Sequence, residues 1–228
     1  MFLHAFRLNL EFGKVLVDRA VRGIRGQGRV EAPEEENTRF KRLLDNGRGL
    51  LIITAHAGAW QWAMSELQFT KRRMHMLYRR ETGDVDRQYF EHTKQNQEPH
   101  FIDPSSDFGG VIEVMAALRA GEVVCAMGDR VLSGPNNTVK ATLLGEAVHL
   151  PLGPFLIAAK LGTPVALVFV PRTGPCRARV FVARVFEETL GTDPVRMVLR
   201  FAKALEDFAI SEPYQFFNFY DLWTPIQK

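Results

Sequence analysis

The sequence predicts an α/β protein: a single three-layer domain over residues 1–228, with a central, mixed but mostly parallel sheet flanked by helices. Three observations carry this expectation. Apolar runs at residues 49–54, 122–127 and 164–170 are continuous rather than alternating, as in strands buried on both faces. Between them lie segments whose apolar residues recur at helical spacing, the order expected of helices covering a sheet. No fixed-period repeat or low-complexity linker divides the 228 residues, and 46% are hydrophobic, enough to bury a full core.

Taken in order, residues 3–22 set Phe6, Leu10, Val17 and Val21 among Arg7, Lys14, Asp18, Arg19 and Arg22. That is a basic amphipathic helix occupying the N-terminal 1–22 region, suited either to a membrane surface or to the core. A glycine-rich connection is expected at 23–28, then a helix from Glu34-Glu35-Glu36 through Leu44, with acidic residues at its start and Asn46-Gly47 at its end. Strand 49–54 delivers His56 at its C-terminal end, where catalytic groups commonly sit in open α/β sheets. A helix at 60–69, a strand at 74–78 and an amphipathic helix at 108–119 closed by Gly121 follow. Strand 122–127 delivers Gly128-Asp129-Arg130. The remainder reads as a strand at 139–143, a short helix at 155–161, a central strand at 164–170, an antiparallel strand at 178–186 and a long helix at 193–209.

Composition excludes several functions. Net charge is only +3, from 29 Lys and Arg against 26 Asp and Glu, so local clustering matters more. Basic residues gather at Lys71, Arg72, Arg73, Arg79, Arg80 and Arg87, and at Arg172, Arg177, Arg179 and Arg184. Either cluster suits an acidic carrier, a phosphorylated substrate or anionic headgroups, or is a solvated surface. Zinc-finger and RRM signatures are missing, so no nucleic-acid partner is expected. Cys125 and Cys176 make no disulfide framework, which fits a reducing compartment. No apolar run approaches the roughly 18 to 20 residues of a membrane span, so a soluble or membrane-peripheral protein is expected. His92 and His100 lack acid or cysteine neighbours at ligand spacing, and no metal is expected. Phosphate-binding glycine loops and a G-x-S-x-G nucleophile elbow are also missing.

The strongest local signal for chemistry is Thr54-Ala55-His56-Ala57-Gly58-Ala59-Trp60-Gln61, a histidine emitted from a buried strand into a glycine-containing turn at a helix start. His-Ala-Gly-Ala-Trp-Gln resembles the His-x-Gly-Asn-Trp-Glu block of the bacterial lipid A (lauroyl/myristoyl) acyltransferase family, a His-x4-Asp/Glu motif. Tyr78-Arg79 resembles that family's Tyr-Arg, and Gly128-Asp129-Arg130 its strand-end acidic block. Leu144-Gly145, Pro151-Leu152-Gly153-Pro154 and Gly162-Thr163-Pro164-Val165 resemble its acyl-pocket region. The ending from Pro213 to Trp223 is similar to that of a branch of predicted acyltransferases often linked to glycosyltransferases.

The resemblance implies a lysophospholipid acyltransferase-like fold and transfer of a fatty acyl group from an acyl-carrier protein or CoA thioester to a hydroxyl of a lipid or glycolipid. It implies His56 as general base, with the carboxylate one turn later steadying the imidazolium. Position 61 is Gln instead, whose carbonyl can still accept from His56 and steady it but supplies no negative charge. Either Asp129 substitutes, or activity is weakened and the chain is an acyl- or lipid-binding relative. Arg130 and Arg79 are candidates for stabilising the oxyanion or binding a phosphate. Gly58 and Trp60, which follow the base within the motif, are candidates for substrate binding, and Gly153, Pro154 and Phe155 lie in an apolar stretch that suits an acyl groove or the core. No cofactor is expected beyond the thioester co-substrate. The expected location is the cytoplasmic, inner face of a bacterial inner membrane, with peripheral contact to anionic lipid.

Overall fold

A computed structural model of the chain describes residues 2–45, 47–60, 70–79, 100–131, 137–219 and 221–223. Helix α1 is Phe2–Arg25 and α2 is Glu34–Asp45; the other helices are α3, Val111–Arg119, α4, Gly153–Leu161, and α5, Pro194–Ser211. The main sheet contains β2 (Leu50–Thr54), β3 (Met74–Leu77), β4 (His100–Ile102), β5 (Val123–Met127), β8 (Val165–Phe169) and β11 (Phe181–Phe186). Their spatial order is β11-β8-β2-β5-β3-β4. Every neighbouring pair is parallel except β11 with β8. The expected mixed, mostly parallel α/β sheet is therefore present. A three-stranded sheet, β1 (Arg29–Glu31), β10 (Arg177–Arg179) and β9 (Arg172–Gly174), lies apart from it, as does the hairpin of β6 (Thr138–Leu143) and β7 (Glu146–Pro151).

Side chains of a strand alternate between faces, so the continuous run Leu50–Thr54 feeds two cores. Leu51 and Ile53 pack with Val114 and Leu118 of α3, Phe155 of α4, Phe201 and Phe208 of α5 and Val148 of β7. Leu50 and Ile52 pack on the opposite face with Val15 of α1, Phe40, Leu43 and Leu44 of α2, Trp60 and Ala178. A strand covered on both sides needs apolar residues at every position, which is why the strongest strands were legible.

The structure corrects several expected boundaries. The 23–28 connection is shorter, because α1 continues through Arg25 before Gly26 turns left-handed at φ 65°. Helix α3 starts at Val111 rather than at 108, since Phe108, Gly109 and Gly110 are all left-handed. The 178–186 strand divides into β10 and β11, which belong to different sheets. Strand β8 lies one place from the edge, while β2 and β5 hold the middle. Leu144-Gly145 is the two-residue turn of the β6–β7 hairpin, with φ 53° and 87°; two consecutive positive values are what a right-twisted hairpin requires. The helix expected at 60–69 is helical at Trp60, and its remainder lies outside the described residues. Among the described residues no helix is long and apolar enough to cross a membrane.

Candidate active site

Because β2 and β5 run parallel and in register, Thr54 opposite Met127, the segments leaving their C-terminal ends emerge side by side. His56 leaves β2 and Asp129 leaves β5. His56 Nδ1 lies 2.9 Å from Asp129 Oδ2 and 3.0 Å from Oδ1. The backbone N–H of His56 also donates to Asp129 Oδ2, at 3.1 Å. Asp129 is fully buried, whereas the His56 side chain keeps 24% of its surface. A buried carboxylate flanked by two N–H groups makes Nδ1 the protonated nitrogen. Nε2 is then the lone-pair nitrogen, and it has no hydrogen-bond partner among the described residues. The imidazole also meets the Trp60 indole edge-on, with ring centroids 6.0 Å apart.

Two glycines make this approach possible. A Cβ on Gly128 would come within 2.8 Å of Ile53 Cγ2 and the Phe201 ring, so a larger residue would push Asp129 away from β2. Gly58 has φ 62°, and its Cβ would lie 2.1 Å from the Val170 carbonyl oxygen. Only glycine tolerates both that conformation and that contact. The loop is held there by Ala59 N–H donating to Val170 O at 2.8 Å, just beyond β8.

Arg79 and Arg130 leave β3 and β5, so both emerge from the same sheet edge as His56. Arg79 is exposed and Arg130 half-buried. Trp60 is buried, and it shares with Val168 and Phe217 the core that α1 and α2 cover. Gly153 and Pro154 form the first turn of α4, and Phe155 is fully buried, its ring centroid 6.1 Å from that of Phe201. Gln61, at the position the family gives to a carboxylate, lies outside the described residues, as do Arg80, Arg87 and His92. Among the described residues no group of three or more metal-ligating side chains is assembled. Burial pushes the Cys125 thiol far above its ordinary range, which disqualifies it as a nucleophile.

One part of the site escaped the sequence reading. The backbone of residues 215–217 bonds the histidine loop on both sides, and Gln215 fastens that segment to Arg172. Within the aromatic ending, Phe216 and Phe217 are buried, whereas Phe219 and Trp223 are exposed.

No curated protein matches the chain. A family model described as bacterial lipid A biosynthesis acyltransferase matches residues 21–224, nearly the whole length. That range takes in the histidine loop, the Asp129 segment and residues 215–217, and the chain thus belongs to the bacterial lipid A biosynthesis acyltransferase family, enzymes that transfer acyl groups onto lipid.

Proposed function

We propose that the chain moves a fatty acyl group from an acyl-carrier thioester, on acyl-carrier protein or CoA, to a hydroxyl of a lipid or glycolipid, with His56 as general base. The observation that carries this reading is the Nδ1–Asp129 contact, which leaves Nε2 as the lone-pair nitrogen on a partly exposed imidazole. His56 Nε2 takes the proton of the acceptor hydroxyl as its oxygen attacks the thioester carbonyl. The tetrahedral intermediate collapses by breaking the C–S bond, and the leaving thiolate recovers the proton from Nε2. Asp129 steadies the transient imidazolium, as the carboxylate of a serine-protease triad does. Arg130 and Arg79 supply positive charge at the same edge, for the oxyanion or for a phosphate of either substrate. The thioester carbonyl is already activated, so this chemistry needs neither metal nor nucleotide.

The alternative, an acyl-binding relative without turnover, rests on Gln61 alone, and Asp129 already places a carboxylate on His56. Helix α1 supports a peripheral position on the inner face of a bacterial membrane. Its exposed Leu3, Leu10, Val17 and Ile24 recur every seven residues, about 180° around the helix from buried Val15 and half-buried Phe12, with Arg7, Lys14 and Arg25 along one border.

The test incubates the purified protein, beside His56→Ala, with radiolabelled acyl-carrier protein thioesters and a bacterial lipid extract. Label entering lipid only with His56 present is the expected result. Thioester binding without turnover in the unaltered protein would replace this reading with the acyl-binding one.

A further inference from the structure

The loop that carries His56 is stitched to the far end of the chain. Phe217 N–H donates to the His56 carbonyl at 2.7 Å, and Gly58 N–H donates to the Gln215 carbonyl at 2.8 Å. Between these bonds Ala57 pairs with Phe216 in antiparallel fashion. Residues 215–217 thus form a one-rung strap across the loop, with Phe216 in one core and Phe217 in the other.

What fastens the strap is the side chain of Gln215, which is 9% exposed. Its Oε1 accepts from Arg172 N–H at 2.7 Å, while Nε2 donates to Arg172 O at 3.1 Å and to Glu212 Oε2 at 2.9 Å. One end of the amide therefore faces a donor and the other faces two acceptors. That pattern fixes the orientation of the amide and cannot be met by a carboxylate of the same shape. The other contacts of the segment brace it from outside: Phe12 of α1 packs on Phe217 with centroids 5.1 Å apart, and Asp18 of α1 pairs with Arg172 at 2.6 Å.

We propose that Gln215 is a positioning residue for His56: its amide locks the 215–217 strap to Arg172, and the strap sets the His56 backbone so that Nδ1 meets Asp129. This rests on the reading of His56 as the base. Gln215 touches no reacting atom, and its effect passes through the hydrogen bonds of Phe217 and Gly58.

The experiment records the imidazole ¹⁵N–¹H spectrum of the full chain labelled at histidine, with His56 assigned by its loss in His56→Ala. Gln215→Glu keeps the shape and the Arg172 N–H bond but turns a carboxylate toward two acceptors; Gln215→Met keeps the bulk and removes every bond. Both are expected to move His56 from the pure Nδ1–H form toward the mixed tautomers of a free histidine. Acyl-transfer kcat is expected to fall roughly 10- to 10²-fold, the penalty of an ångström-scale misplacement, with KM little changed. Thr189→Ala is the control for lost stability, since the Thr189 hydroxyl bonds Ala158 O and Thr163 O, far along the chain from the strap and the histidine loop. It should leave the His56 signal as it is. An unchanged His56 tautomer in either folded Gln215 variant would overturn the proposal.

Amide exchange in the unaltered protein gives a second reading that needs no variant. The Phe217 and Gly58 amides are expected to open together with that of Arg172; continued protection of both while Arg172 exchanges would equally sink the idea. Absence of acyl transfer by the unaltered protein would remove the proposed function and leave these spectra to decide the strap.

Discussion

Replacing Asp129 by Asn tests the heart of the site. The carboxylate receives two N–H groups, from the His56 ring and the His56 backbone, and both reach Oδ2. An asparagine can place its single carbonyl there only by putting its NH₂ where Oδ1 now lies, 3.0 Å from Nδ1. Flipped the other way, the NH₂ faces Nδ1 and drives the proton to Nε2, the nitrogen proposed to accept from the substrate. In either orientation the transient imidazolium loses a negative charge 2.9 Å away. With an effective dielectric of about 20 that pairing is worth about 4–6 kcal/mol, which at about 1.4 kcal/mol per decade is a loss of 10³- to 10⁴-fold in rate. The same neutralisation in a serine-protease triad costs about 10⁴. Folding should change by no more than about 2 kcal/mol, because the side chain keeps its volume and a hydrogen bond. The assay is initial-rate transfer of labelled acyl chains into lipid at saturating thioester, beside thermal unfolding of both proteins. A drop of less than about 10-fold in a well-folded variant would show that Asp129 is not the partner through which His56 works.

Further predictions follow from the same geometry. Gln61→Glu is expected to raise transfer by less than about 10-fold, because Nδ1 already has a carboxylate; an increase of 10²-fold or more in the same assay would mean that Asp129 does not fill the missing role. Gly58→Ala should abolish activity and lower stability by several kcal/mol, since its methyl would lie 2.1 Å from Val170 O in a left-handed backbone; urea unfolding measures the cost. Association with anionic vesicles should weaken with salt and on removal of the residues before Gly23; neutral and anionic vesicles sedimenting equal amounts of protein would count against a lipid-facing α1.

Sequence and tertiary structure divide the determination of this protein along a physical line. The doubly buried strands were legible because two covered faces demand apolar residues at every position, and β2, β5 and β8 follow the three runs closely. Both partners of the central contact were also legible, since each is a polar residue emitted at the end of such a strand. The short strands β1, β4 and β9 were not, because three residues carry no period, and their existence depends on a neighbour far along the chain. At Leu144-Gly145 and Phe155 only the tertiary structure shows a hairpin turn and a buried ring, because apolar composition does not say which face a residue turns to a partner. Sequence alone left Gln61 and Asp129 as rivals for His56, and only the in-register pairing of β2 with β5 brings Asp129 within 2.9 Å of the imidazole. The strap lay further still from what local pattern holds, because an amide at position 215 acquires meaning only when folding sets it against Arg172 and lays its backbone across the histidine loop.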